Sequence, residues 1–307
     1  FKAEGTSKNT SEEIYKKESK GFIIYEPDYN ATFIITTCHG LFCDDCELKK
    51  INVIYKKKTR TYGIKNFIFN KKFDLAIKII NWKDLDYGNL LSTTDFNFNL
   101  NNDKSLFSIE DKIFNCIDYS LEYRLNENIC ILYKFCKYDF KTERDLQGYS
   151  GQLNFTRDKI DSVFIAQDED KCMFIPGFYV KYMIDNFSKS KSEFQIYNLP
   201  IDVKLNDDSK SLRTNQDYDT LQSGSIICKI DDKEINGGYI YDDKLQIEVL
   251  PDVYIMLNCG NKCKVSIQKE KTLERIIMYT YLIYAREDCG FCTKLLKFMK
   301  EKNEKFI

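Results

Sequence analysis

From about residue 21 the chain is written in short β-branched and aromatic runs, and no other feature limits its fold as much. Gly21–Tyr25, Thr32–Thr36, Ile51–Tyr55, Ile64–Phe69 and Leu75–Ile80 come first, and Asn128–Tyr133 and Asp161–Ala166 follow. Polar turn residues separate them at close spacing. Strands repeated this often, with no helical pattern between them, close into a barrel or a sandwich. The expected class is mainly β. One helix is expected, because Val180, Met183, Ile184 and Phe187 recur at i, i+3, i+4 and i+7 and so share one helical face. It would close a β domain over residues 19–187. Residues 1–18 are polar, with little to bury, and are expected to form a mobile tail. Residues 188–193, a Lys/Ser/Glu run, are expected to be a linker. Strands resume at Gln195–Tyr197, Gly224–Ile230, Leu245–Val249, Val253–Leu257 and Lys264–Ile267, which predicts a second small β-rich domain over 194–271. The last segment, 278–307, starts as a strand at Tyr279–Tyr284 and continues as an amphipathic helix. Two elements alone cannot bury a core.

Composition removes several functions. Lys+Arg number 46 and Asp+Glu 47, a net charge of −1, so no global field draws the chain to nucleic acid. No run of about 18 apolar residues exists, so no membrane-spanning helix is expected. The 307 residues contain one histidine, His39, which excludes multi-histidine metal sites and histidine pairs. Any imidazole chemistry happens at residue 39.

His39 sits in the run Ile35-Thr-Thr-Cys-His-Gly40, just after an apolar strand. Asp74 opens another strand, in Lys72-Phe-Asp-Leu-Ala-Ile-Lys78. Ser150 is bracketed by glycines in Leu146-Gln-Gly-Tyr-Ser-Gly-Gln-Leu153. A nucleophilic serine needs a base, a carboxylate that fixes the tautomer of that base, and N–H donors for the oxyanion. His39 is the one imidazole available as base. Asp74 can hold it. Gly148 leaves the backbone free to turn its N–H, with that of Ser150, toward a developing oxyanion.

Thr-x-Cys-His, Phe-Asp-Leu-Ala and Gly-x-Ser-Gly, in this order, resemble the chymotrypsin-like serine proteases. Val163-Phe-Ile-Ala and Met173-Phe-Ile-Pro-Gly-Phe-Tyr-Val-Lys-Tyr-Met-Ile-Asp185 look like the end of an HtrA/Deg protease domain. Leu221-Gln-Ser-Gly-Ser-Ile-Ile-Cys-Lys-Ile-Asp-Asp-Lys-Glu-Ile235 resembles the strand and turn of a PDZ domain. The resemblance covers about residues 20–270. It implies a double β-barrel with a His39-Asp74-Ser150 triad and no cofactor. It also implies a polypeptide substrate, a peptide ligand for the PDZ-like domain, and a trimer.

The 12 cysteines are scattered without a dense pairing pattern and are expected to be reduced thiols of a cytosolic protein. Cys43-Asp-Asp-Cys46, near Cys38, has metal-ligand spacing but lacks the two pairs of a structural zinc site, so no metal is expected. Cys289-Gly-Phe-Cys292 follows a predicted strand and opens a predicted helix, where a helix N-terminus favours the thiolate. This stretch looks like a glutaredoxin start. The rest of such a fold lies beyond Ile307 if a longer protein exists, and the start at Phe1 suggests an upstream segment. Two other functions stay open: a non-catalytic protease-fold scaffold that captures peptides, and a thiol-disulfide protein using Cys289 and Cys292.

Overall fold

Side-chain alternation along the strands sets the architecture of the first half. The computed structural model describes residues 1–7, 14–42, 46–100, 105–126, 129–140, 145–157, 159–168, 170–190, 203–206, 211–214, 225–259, 262–269 and 272–279. The chain divides into two units, Phe1–Phe194 and Gln195–Ile307.

The first half of the first unit holds nine strands: β1 (Lys2–Ser7), β2 (Ile14–Glu18), β3 (Phe22–Glu26), β4 (Ala31–Thr37), β5 (Cys46–Tyr55), β6 (Lys58–Gly63), β7 (Ile68–Asn70), β8 (Leu75–Ile80) and β9 (Leu91–Ser92). They form two sheets, ordered β2-β1-β5-β6 and β7-β8-β4-β3-β9. In β3 the burial alternates, with Phe22, Ile24 and Glu26 inward, as expected of a strand with one wet face. In β4, Thr32 to Thr37 are all buried, because β3 and β8 flank it and both faces are covered. Ala3, Ile34, Ile51, Val53, Ala76 and Trp82 meet in one core, so the two sheets share a single interior.

Residues 1–7 and 14–18 are therefore not the mobile tail that their polarity predicts; residues 8–13 lie outside the described residues. β1 pairs antiparallel with β2 and with β5, and Ala3 is fully buried. A strand held by ladder hydrogen bonds on both sides needs few apolar residues of its own.

Six strands close the second half: β10 (Ser105–Ile109), β11 (Lys112–Asn126), β12 (Ile129–Tyr138), β13 (Leu153–Thr156), β14 (Lys159–Asp168) and β15 (Lys171–Pro176). They form a barrel in the order β10-β11-β12-β15-β14-β13, which removes every sheet edge. Phe107, Tyr138, Phe164 and Phe174 fill it, with ring centroids 5.3–6.0 Å apart. One ion pair lies inside as well. Lys134 Nζ donates to Asp161 Oδ2 at 2.9 Å and to Ser105 Oγ at 2.7 Å, with both charged side chains fully buried. Helix α1 (Gly177–Ser190) follows, as its periodicity predicts. It continues through residues 188–190, into the stretch expected to be a linker, because that stretch contains no Gly or Pro to stop it. Residues 191–193 lie outside the described residues.

The second unit has a sheet ordered β16-β17-β18-β22-β23: β16 (Val203–Asn206), β17 (Ser211–Thr214), β18 (Ile226–Ile230), β22 (Lys262–Lys269) and β23 (Thr272–Tyr279). A short β19 (Lys233–Glu234) pairs with β18, and β20 (Ile240–Asp242) with β21 (Ile247–Val249). Two expectations change here. Val253–Leu257 is helical: α2 (Pro251–Tyr254) runs into a π-helical turn over Ile255–Cys259. Pro251 presets the first helical φ, and Val253, Tyr254, Ile255 and Met256 are all buried, so no period could separate helix from strand. The sheet also extends past residue 271, because β23 pairs along its whole length with β22. Residues 280–307, including Cys289 and Cys292, lie outside the described residues, as do Gln195–Tyr197, Cys43 and the side chain of Cys46.

Candidate active site

The two halves of the first unit each bring one part of the site. Asp74 is the residue just before β8, and its φ of +54° places it in the left-handed region. That conformation costs a non-glycine residue about 1 kcal/mol or more. It is locked by Cys38 on the adjoining strand end, whose N–H donates to Asp74 O at 2.9 Å. The Cys38 thiol donates to Leu75 O at 3.0 Å, and burial pushes its pKa well up, so it packs as a neutral group.

The Asp74 carboxylate then grips His39 twice. Oδ1 accepts the His39 backbone N–H at 2.8 Å, and Oδ2 pairs with Nδ1 of the ring. Two contacts from one carboxylate fix both the loop and the ring plane. With Nδ1–H donated to Asp74, Nε2 is left as an acceptor. It lies 2.8 Å from Ser150 Oγ.

Ser150 sits in a turn that starts at Leu146, where Tyr149 N–H donates to Leu146 O at 3.1 Å and Gln152 N–H to Tyr149 O at 2.9 Å. Gly148 and Gly151 have φ of +83° and +94°. At Gly151 glycine is also required by space, because a Cβ would stand 2.3 Å from Lys20 O. The N–H groups of Gly148 and Ser150 meet no protein acceptor among the described residues. The Ser150 hydroxyl has a second acceptor, Ile165 O on β14, at 2.9 Å. Its single proton goes either to this carbonyl or to the His39 ring.

A cleft of about 1060 Å³ opens over His39 and Ser150, with Leu146, Gly148, Phe164 and Ile165 in its walls. Residues 17–20, the last two of β2 and the two that follow, form another wall. Lys17 Nζ donates to His39 O at 3.1 Å and to Phe42 O at 2.6 Å, which secures the loop carrying the histidine. Lys20 N–H donates to Ser150 O at 2.8 Å, and Lys20 O accepts Thr36 Oγ1–H at 2.6 Å. One short segment thus ties the histidine loop to the serine loop. Sequence reasoning missed Lys17, Lys20 and the Ile165 carbonyl. Nothing local marks a lysine in a polar run or a backbone oxygen as part of a site.

The sequence-predicted residues His39, Asp74 and Ser150 converge in one hydrogen-bonded chain, with Gly148 beside it. Such a chain can relay the serine proton to an imidazole held in one tautomer.

No protein-family model and no curated protein matches the chain. Solved structures do. An HtrA-type protease, AlgW, with a decapeptide is 11% identical at a TM-score of 0.52, over 80% of this chain and 77% of that one. AlgW with a tripeptide is 12% identical at a TM-score of 0.44, over 90% and 91%. A scabies mite inactivated protease paralogue is 10% identical at a TM-score of 0.31, over 59% and 90%. The first of these shows the fold: this chain has the chymotrypsin-like fold of an HtrA-type protease.

Proposed function

We propose that the chain, with its protease fold, is a serine endopeptidase acting on extended polypeptides through Ser150, His39 and Asp74. The observation that carries this is the 2.8 Å approach of His39 Nε2 to Ser150 Oγ, with Asp74 on the other ring nitrogen. Ser150 Oγ attacks the scissile carbonyl as His39 Nε2 takes its proton. Asp74 stabilises the imidazolium and is not itself protonated. The N–H groups of Gly148 and Ser150 receive the oxyanion. His39 returns the proton to the leaving amine, and water repeats the sequence on the acyl-enzyme. No cofactor takes part.

Other elements of this proposal rest on the HtrA resemblance. They are capture of a peptide by the PDZ-like residues 194–271 and assembly as a trimer. The AlgW structure at a TM-score of 0.52 holds a decapeptide, which agrees with a peptide-binding role for this fold.

Casein cleavage and fluorophosphonate labelling, compared between the wild type and Ser150→Ala, test the reading. Labelling and cleavage that both vanish in Ser150→Ala support it. Well-folded wild type that takes up no probe overturns it. Peptide affinity in that same protein would identify the scaffold instead.

A further inference from the structure

The cleft over Ser150 carries charge that the chemistry of His39, Asp74 and Ser150 does not use. Lys2, Lys16, Lys17 and Lys20 line it, against two carboxylates, Glu18 and Asp145. The chain as a whole has a net charge of −1, so this positive excess is local. All four lysines come from β1, β2 and the two residues after β2. Glu18 is neutralised there by its salt bridge to Lys2. Asp145 belongs to the loop that leads to Ser150, where its Oδ1 accepts the Gln147 N–H at 2.9 Å.

The other three lysines keep their charge. Among the described residues no salt bridge reaches Lys16, Lys17 or Lys20. Lys17 donates to His39 O and Phe42 O, two neutral carbonyls. Lys16 and Lys20 are exposed. Lys20 Nζ stands over the ring of Tyr149, the residue before Ser150, at 5.3 Å from its centroid. The Lys20 backbone is fixed on both sides, by Ser150 O and by Thr36 Oγ1. A cation is thus held beside the serine turn rather than left to wander in solvent.

The mechanism gives this wall a direction. His39 must protonate the leaving amine, so the part of a substrate that follows the scissile bond departs past the histidine. Lys17 is bonded to the carbonyl of that histidine, which sets residues 16–20 on the same side. β2 is also the edge of its sheet among the described strands, where an extended segment can lie alongside.

We propose, on the reading of this cleft as a protease site, that Lys16, Lys17 and Lys20 select substrates with acidic residues just after the scissile bond. A Glu or Asp side chain there meets unneutralised ammonium groups, and a Lys or Arg is repelled by them. Exposed charge pairs are each worth no more than a few-fold, so several together give about tenfold between acidic and uncharged substrates.

Matched peptide pools test this. Each has an uncharged randomised half and a half rich in Glu, Gln or Lys, placed either before or after it, and mass spectrometry maps the cuts. Wild type should cut fastest where the Glu-rich half follows the cut, about tenfold above Gln, with Lys slowest, and about 1 M salt should remove the difference. Lys16→Gln with Lys20→Gln, both at exposed positions, should bring the Glu-to-Gln ratio toward one. The ratio is taken within each variant, so a general loss of activity does not imitate the effect. Cutting with a Glu-to-Gln ratio below about twofold overturns the proposal, as does a preference confined to Glu before the cut or a ratio unchanged in the double variant. Ser150→Ala separates this outcome from failure of the protease reading, because it binds without cutting. Fluorescence anisotropy of the same pools should show tighter binding of Glu than of Gln or Lys, again lost in salt. If wild type cuts nothing and Ser150→Ala still discriminates, proteolysis fails and the charge selection stands. If Ser150→Ala binds all three pools equally, the charge selection fails whatever wild type cuts.

Discussion

Replacing Asp74 by Asn separates orientation of the base from everything else in the site. The side chain has nearly the same shape, but the carboxylate serves two donors and a carboxamide has a single oxygen. That oxygen keeps the His39 backbone N–H, now at 2.8 Å from Oδ1. The amide nitrogen then faces Nδ1 and donates to it, which drives the imidazole proton to Nε2. Nε2 lies 2.8 Å from Ser150 Oγ and can no longer accept its proton. Stabilisation of the imidazolium disappears with the same change. In a serine–histidine–carboxylate system this loss is about 10⁴-fold in rate, or about 5.4 kcal/mol at 1.36 kcal/mol per decade. Stability should change far less. The side chain keeps both contacts, one with its direction reversed, and the Asp74 side chain is already 18% exposed, so about 1–2 kcal/mol at most is expected, a melting shift of a few degrees. The assay is the second-order rate of fluorophosphonate labelling at pH 7, which needs no knowledge of the substrate, with circular dichroism as the control. A fall of less than tenfold in folded Asp74→Asn protein would refute the reasoning, because the base would then orient itself without the carboxylate.

Lys17→Met should keep the stem and lose both donors to His39 O and Phe42 O, slowing probe labelling about tenfold with little change in melting; an unchanged rate removes Lys17 from the positioning network. Gly151→Ala places a Cβ 2.3 Å from Lys20 O at a φ of +94°, so labelling should be lost and the melting temperature should fall, and a wild-type rate would contradict the close approach. Lys134→Met strands Asp161 in the barrel core, where its Oδ1 already lacks a partner, and should cost about 3–5 kcal/mol in denaturant unfolding. Adding Asp161→Leu should recover most of that loss, and a double variant as weak as the single one would disprove the ion-pair account.

The β class, helix α1 and the convergence of His39, Asp74 and Ser150 were legible because each leaves a local mark: alternation, a helical period, or a rare residue type between strand and turn. The rest depends on distant partners. β1 and β2 read as tail because ladder bonds, of β1 to β5 and of β2 to β1, hold them rather than their own side chains. The hairpins at Lys56–Lys57, Glu110–Asp111 and Asp231–Asp232 carry positive φ at both turn residues without the glycine that normally announces such turns. Val253 and its neighbours are buried all round, so apolarity alone could not say helix. Lys17 and Lys20 act through backbone contacts that only the folded chain creates.

The origin of the three proposed reacting residues has a consequence for the chain before it is finished. His39 and Asp74 come from the ends of β4 and β8 in the two-sheet half, and Ser150 from the turn ahead of β13 in the closed barrel. The first half carries the imidazole and the second half the hydroxyl that meets it. During synthesis, or after partial unfolding, the chain carries an ordinary serine and an ordinary histidine. The proposed reactivity arises when the two halves close on each other and residues 17–20 bind both loops. On the proposed function, an unfinished copy attacks nothing, and the rate at which the chain labels measures how completely it has folded.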